Sequence, residues 1–331
     1  MKIAVDAYGG DNAPREIIKG CKLARDELQV DIVLTGKESE IINVMKSEGI
    51  SPDTFEIVNT PGVLTMEDEP TSVIKDKSDS SMAAAFRLVK EGACDAIVSA
   101  GNSGAVLVGA TMIVRRIRGI KRAALGFVFP TETGPLMLAD MGANAVCKPE
   151  YLTQFAVMAS EYMKHMHDIK NPLIGLLNNG TESHKGTPLQ QETYQLLMNS
   201  GMNFKGNVEA RDLALGGCDV IVCDGYTGNI ALKTFEGVSK MMSNGIKGIF
   251  KKNLLTKLGA VFVLNSLNDF KKKYDYKEYG GAPLLGISKP VIKAHGSSDA
   301  RAIKNAIRQA RDYHKSGMID VITAQLAEQN Q

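Results

Sequence analysis

Short β-branched runs alternate along the chain with longer stretches in which apolar residues recur every three or four positions. Strands are predicted at 2–6, 31–35, 55–58, 95–100, 124–129, 136–140, 173–178, 220–224 and 291–294. Most of these runs are followed by glycine and then by an amphipathic segment. Such alternation predicts a mostly parallel sheet with helices on both faces, in which ligands gather outside the carboxyl ends of the strands. The segment from about Phe235 to Tyr276 departs from it, being helical in pattern with no strand signal. On a helix, Leu254, Leu258, Val261 and Phe262 share one face while Val263 and Leu264 point elsewhere. A helix apolar nearly all round has to be covered by something, yet this run is too short for the roughly 20 residues of a membrane span. A protruding helical hairpin over 235–276 with an apolar tip is expected, flanked by Lys251, Lys252 and Lys271–Lys273.

The polar residues cluster where the strands end. Gly9-Gly10-Asp11 follows the first strand, and Gly101-Asn102-Ser103-Gly104 follows the strand at 95–100. Glycine there lets backbone N–H groups approach a ligand, and a helix starting near Ser103 favours an anion at its N-terminus. Further clusters are Asp140–Asn144, Asn178–Glu182 with Lys185, Gly206–Asp212, Asp224–Asn229 and His295–Ser298. The stretch Asp95–Gly104 echoes Asp219–Gly228, each reading as strand, glycine, Ser/Thr, glycine and helix. Two similar strand-to-helix turns, or two anion-binding helix starts facing one cleft, account for the echo equally well.

Composition narrows the function. At 331 residues, 44% hydrophobic and 23% charged, the chain reads as globular, either one large α/β unit over 1–331 or two coupled lobes around one cleft. A net charge of +2 gives no global reason to expect nucleic acid. The five cysteines have irregular spacing and no CxxC pair, which suits a reduced, cytoplasmic protein and not a zinc site. Cys218 and Cys223 flank a strand and read as small buried hydrophobes. No signal peptide is expected, since a strand-like run begins at Lys2. Walker and GxGxxG fingerprints, Gly-x-Ser-x-Gly and metal-ligand spacings are all missing, so no cofactor and no metal are expected. His165 and His167 stand two apart and would point in opposite directions on a helix.

Taken in order, Val5–Asp11, Ser99–Ala105, Gly206–Asp212, Asp224–Asn229, Tyr279–Ala282 and His295–Asp299 resemble the PlsX family of phosphate acyltransferases. The resemblance runs from residue 3 to about 312, with Tyr8 standing where methionine is usual. It implies an isopropylmalate-dehydrogenase-like α/β/α fold, a homodimer, and peripheral membrane association through a helical tip, the place that Leu254–Leu264 occupies here. It also implies the reaction of an acyl carrier protein thioester with orthophosphate to give acyl phosphate and free carrier, feeding bacterial phospholipid synthesis.

For that reaction phosphate needs positioning more than deprotonation, and a thiol of pKa ~8.5 leaves tolerably as thiolate. Orientation and oxyanion stabilisation should therefore dominate. Phosphate is expected near Gly101–Gly104 and the Thr227–Gly228–Asn229 turn, with Gly9, Gly10, Asp11, Asn144 and Ser297 in the surroundings. Lys185 and His295 are the candidates to polarise the carbonyl or protonate sulfur, and Asn229 to donate to the oxyanion; His184 is not assigned a role. An acidic carrier protein would meet the basic run Arg115, Arg116, Arg118, Lys121 and Arg122. The apolar tip suits burial in a dimer interface or insertion among anionic headgroups. A coenzyme A thioester as donor, a nicotinamide-dependent dehydrogenase of the same fold, and a non-catalytic phosphate-binding scaffold are the competing readings.

Overall fold

Alternation within the strands sorts the core. In the computed structural model, which describes residues 1–273 and 280–328, Ile3 and Val5 of β1 (Lys2–Asp6) join one apolar cluster and Ala4 joins another. The remaining strands are β2 (Asp31–Gly36), β3 (Glu56–Asn59), β4 (Ala96–Ser99), β5 (Ala124–Pro130), β6 (Pro135–Ala139), β7 (Ile174–Leu177), β8 (Phe204–Val208), β9 (Val220–Val222), β10 (Ala282–Leu285) and β11 (Val291–Lys293). They form one sheet in the order β3-β2-β1-β4-β11-β10-β5-β6-β9-β7-β8. The helices are α1 (Arg15–Leu28), α2 (Glu38–Ser47), α3 (Ser81–Lys90), α4 (Ser103–Gly109), α5 (Pro149–His167), α6 (Pro188–Met198), α7 (Asp212–Leu215), α8 (Gly225–Lys251), α9 (Leu254–Lys273), α10 (Ala300–Lys315) and α11 (Met318–Glu328).

One face carries a continuous core that runs from Ile3 and Val5 to Val220 and Val222 beneath α1, α5 and α10. The other face carries two separate cores. Phe86, Met82 and Ile97 pack under α3 at one end, and Leu136, Leu138 and Ile221 pack with Leu232 of α8 at the other. The chain is thus a three-layer α/β/α unit, joined across one face and divided on the other.

Strand direction decides where ligands can sit. β1, β2, β3, β4 and β11 are mutually parallel. β10 is antiparallel to both β11 and β5, and β5 is antiparallel to β6. β6, β9, β7 and β8 are parallel to one another and so run against β1. The carboxyl ends of the β1 group open on one rim of the sheet, and those of the β6 group open on the opposite rim. The expectation of a mostly parallel sheet overlooked this reversal, along with β8 and β10. The Lys205-Gly206-Asn207 centre of β8 and the Pro283 of the four-residue β10 carry little strand propensity.

The helical hairpin starts ten residues earlier than its pattern implied. Asp224 caps α8 by accepting from the Thr227 N–H at 2.9 Å, so Gly225–Thr227 is the first helical turn and not a loop. Asn253 and Thr256 cap α9 reciprocally, at 2.9 and 3.1 Å, which puts the hairpin's turn at Lys252–Asn253. Leu258, Val261 and Phe262 follow this turn on α9 and are exposed, Phe262 at 89%, with Val263 and Leu264 also exposed. The side chain of Leu254 and residues 274–279 lie outside the described residues.

Glycines in α8 report how closely it is packed. A Cβ on Gly228 would stand 1.9 Å from the Asp140 carbonyl oxygen, whereas one on Gly245 would meet nothing within 4 Å. Gly228→Ala should therefore destabilise the protein by about 2–3 kcal/mol through overpacking. Gly245→Ala should stabilise it by up to about 1 kcal/mol through helix propensity. Urea unfolding of the two variants checks the opposite signs.

Candidate functional site

At the rim of β1, β4 and β11, three loops are laced together. The Asp11 N–H donates to the Gly296 carbonyl at 2.8 Å, and the Asn12 amide donates to the carbonyls of Ser297 and Ser298. Gly10 has φ +98° and a Cβ there would lie 2.7 Å from the Gly296 oxygen, so this contact requires glycine. A Cβ on Gly9 would lie 2.6 Å from the Gly101 nitrogen, which brings the first and second glycine loops into contact. Beneath them Asp6, 2% exposed, accepts from the hydroxyls of Ser81 (2.6 Å) and Ser99 (2.7 Å) and from the Tyr8 N–H. Burial pushes the Asp6 carboxyl above its ordinary range.

His295 stands exposed on this rim. Its Nδ1 faces both the Ser297 hydroxyl at 2.9 Å and the Ser297 N–H at 3.2 Å. The N–H can only donate, so Nδ1 is the acceptor and the ring proton sits on Nε2. Partial burial lowers the imidazole pKa below its usual 6.5, with opposing influences from Glu236 and Lys233. The result near neutrality is an uncharged ring with one N–H donor available.

Asn102 is occupied structurally. It caps α4 by accepting from the Ala105 N–H, and its amide donates to the carbonyls of Met66 and Asp68. Ser103 is exposed beside it and Gly104 packs against Pro70. These residues, with Gly101, are brought to the same rim as His295 and Ser297.

The other expected residues gather at the opposite rim. Asp140, fully buried, accepts from the N–H groups of Leu125, Gly142, Ala143 and Asn144 and from the Asn144 amide. The second amide donor of Asn144 goes to the Ala123 carbonyl at 2.7 Å, so that side chain holds a loop and has no donor left for a substrate. Thr227 is likewise engaged by the Asp224 carboxylate through its N–H and its hydroxyl. An acid so placed repels phosphate, so the helix start at Thr227–Gly228 is already filled. Lys185 lies in the loop after β7, which is held by Asn178 on the Lys185 carbonyl and Asn207 on the Glu182 carbonyl. Arg115, Arg116, Arg118 and Lys121 precede β5 and so also lie at this second rim, with Arg116 donating to the Lys121 carbonyl. Strand reversal thus sends the two loops expected to hold phosphate, Gly101–Gly104 and Thr227–Asn229, to opposite rims of the sheet.

Helix α8 connects the rims. Asn229, exposed and beside Gly142, stands four residues before Lys233 and seven before Glu236, so the three share one stripe. Lys233 and Glu236 reach the electrostatic surroundings of His295, and Lys233 those of Lys293 as well. The sequence reading missed Lys233, Glu236 and Lys293. The first two sit inside a helix, where only their spacing from Asn229 pointed to them. Lys293 ends an apolar strand two residues before His295, and a lysine in that place was the signal.

The whole-chain comparisons agree with one another. A family model described as fatty acid synthesis protein matches residues 1–321. The phosphate acyltransferase of Thermoanaerobacterium thermosaccharolyticum is 46% identical over 98% of this chain and 97% of that one. That of Clostridium acetobutylicum is 44% identical over the full length of both. Among solved structures, a phosphotransacetylase from Streptococcus pyogenes covers 95% of this chain and 94% of its own with a TM-score of 0.65 at 19% identity. A 4-hydroxythreonine-4-phosphate dehydrogenase from Klebsiella pneumoniae covers 95% and 97%, with a TM-score of 0.54 at 12% identity. At these identities the two structures speak for the shared fold alone.

Proposed function

Because the chain belongs to the fatty acid synthesis protein family of phosphate acyltransferases, we propose that it transfers an acyl group from acyl carrier protein to inorganic phosphate. A phosphate oxygen attacks the thioester carbonyl, the carbon–sulfur bond breaks, and acyl phosphate and the carrier's thiolate are released. The observation that carries this reading is the full-length similarity to phosphate acyltransferases at 43–46% identity. The first rim suits the chemistry, with its glycine loops and with the neutral His295 offering Nε2–H to a developing oxyanion. Incubation with an acyl carrier protein thioester and labelled phosphate should yield hydroxylamine-trappable acyl phosphate. Its absence with both carrier-protein and coenzyme A thioesters would reject the reading. Turnover on coenzyme A thioesters alone would favour the phosphotransacetylase reading, which the shared fold keeps open.

Lys185 and Asn229 take part, in this reading, when a second copy of the chain sets its β6-group rim against the first rim of its partner. The acidic carrier would dock on Arg115, Arg118 and Lys121, all exposed at the rim that carries Lys185. The α8–α9 hairpin is the proposed contact with the inner membrane surface. Phe262→Asp should leave thermal unfolding within about 0.5 kcal/mol of wild type, since the ring packs on little within the chain. The same change should strongly reduce co-sedimentation with anionic vesicles. Loss of the dimer in lipid-free buffer, with vesicle binding retained, would assign the apolar stretch to the dimer interface instead.

A further inference from the structure

Lys293 ends β11 beneath the first rim and is 7% exposed. Its ammonium donates to the Ala294 carbonyl at 2.5 Å and to the Ala100 carbonyl at 3.3 Å. Those carbonyls stand immediately before His295 and Gly101, so one cation ties together the entries of both loops. A lysine has three donors, and only these two acceptors face it among the described residues.

Its charge is only partly balanced. The buried carboxylate in its surroundings, Asp6, is shared with the hydroxyls of Ser81 and Ser99 and the Tyr8 N–H, and burial raises its pKa against the pull of those donors and of Lys293. The other carboxylate is Asp11, exposed on the rim, while Lys233 of α8 adds a second positive charge that is itself paired with Glu236 at 2.8 Å. His295 completes the titratable surroundings. Burying an incompletely compensated ammonium is costly, and a carbonyl clamp alone could be built from a neutral amide. We propose that Lys293 is the buried cation of an anion subsite that takes inorganic phosphate between the Gly101–Gly104 and His295–Ser298 loops, with Lys233 as its second positive charge.

This assignment rests on the acyl-transfer reading for its purpose, but it is testable without turnover. Burial lowers the Lys293 pKa to about 8, so the free protein holds this ammonium only partly protonated at pH 8.5. Phosphate is then already the dianion, and its arrival should draw a proton onto Lys293. Calorimetric titration of the intact protein with inorganic phosphate, in two buffers of different ionisation enthalpy, measures that uptake. Wild type should take up a fraction of a proton. Lys293→Met should show none and bind phosphate about 10- to 100-fold more weakly, as expected for a lost charge-assisted hydrogen bond. Lys293→Arg should bind phosphate without proton uptake, which keeps the test open should the methionine variant fail to fold. Wild-type binding without uptake, no wild-type binding, or unchanged affinity in Lys293→Met overturns the proposal. A protein that makes acyl phosphate but shows no uptake keeps the reaction and loses Lys293. One that binds phosphate with uptake but makes no acyl phosphate keeps the subsite and loses the reaction.

Discussion

Replacing His295 by alanine is expected to slow acyl phosphate formation by roughly 10²- to 10³-fold, the usual effect of deleting one oxyanion donor. The donor in question is the Nε2–H, because the Ser297 N–H points at Nδ1. His295→Gln presents an amide N–H at a similar reach and should recover most of that loss. Steady-state rates of the three proteins, each confirmed folded, check the order wild type, glutamine, alanine. The pH profile supplies a second check. The folded imidazole titrates below 6.5, so the fall in rate that its protonation causes should have its midpoint below pH 6.5. Below that midpoint a proton on Nδ1 would confront the Ser297 N–H, disturb the loop and lower the rate. Stability carries the same sign. Above 6.5 the ring is neutral in both states; as pH falls below that, the unfolded chain takes a proton that the folded loop resists, and folding loses free energy. An acid limb at or above 6.5, or one that persists in His295→Gln, would contradict the assignment.

Lys185→Ala should also lose about 10²-fold or more in rate, but its diagnostic value lies in mixing. Lys185 and His295 leave opposite rims of one sheet, which is the arrangement expected if each site draws on two chains. If two chains share each site, Lys185→Ala and His295→Ala subunits unfolded and refolded together will form heterodimers with one intact site. A random mixture should then recover about a quarter of wild-type activity, against almost none for either variant alone. Activity that stays at the sum of the two variants would show that the rims do not combine. A fully active Lys185→Ala would remove that lysine from the chemistry.

Much of this architecture was legible because buried parallel strands announce themselves. Val98 and Ile97, Ile221 and Val222, Ile3 and Val5 stand in apolar runs that end at glycine or aspartate, and each run is a strand. The loops after them were legible for the same reason. Strand direction was not, since a five-residue apolar run reads alike both ways. The hairpin of β5 and β6 and the short β10 reverse the second half of the sheet. That reversal separated residues which a uniform parallel sheet would have placed in one crevice. Side-chain occupancy was equally hidden. Asn102 and Asn144 look like free amides in sequence, yet their donors hold the 66–68 loop and Ala123. Lys293 and Lys233 look like ordinary lysines, and only the fold places both in the surroundings of His295.

Helix α8 also acts mechanically. It is 27 residues long, about 40 Å of rod, and its first turns are clamped by Gly228 on Asp140, by Leu232 in the core and by Phe235 against Phe129. Lys233 lies inside the clamped stretch, whereas Met241, Met242 and Ile249 lie beyond it and are exposed. The rod is therefore a cantilever: a load on its free end, such as the proposed grip of lipid or of a second chain, is borne by Leu232 and Phe235, and the charge of Lys233 keeps its place while the hairpin yields.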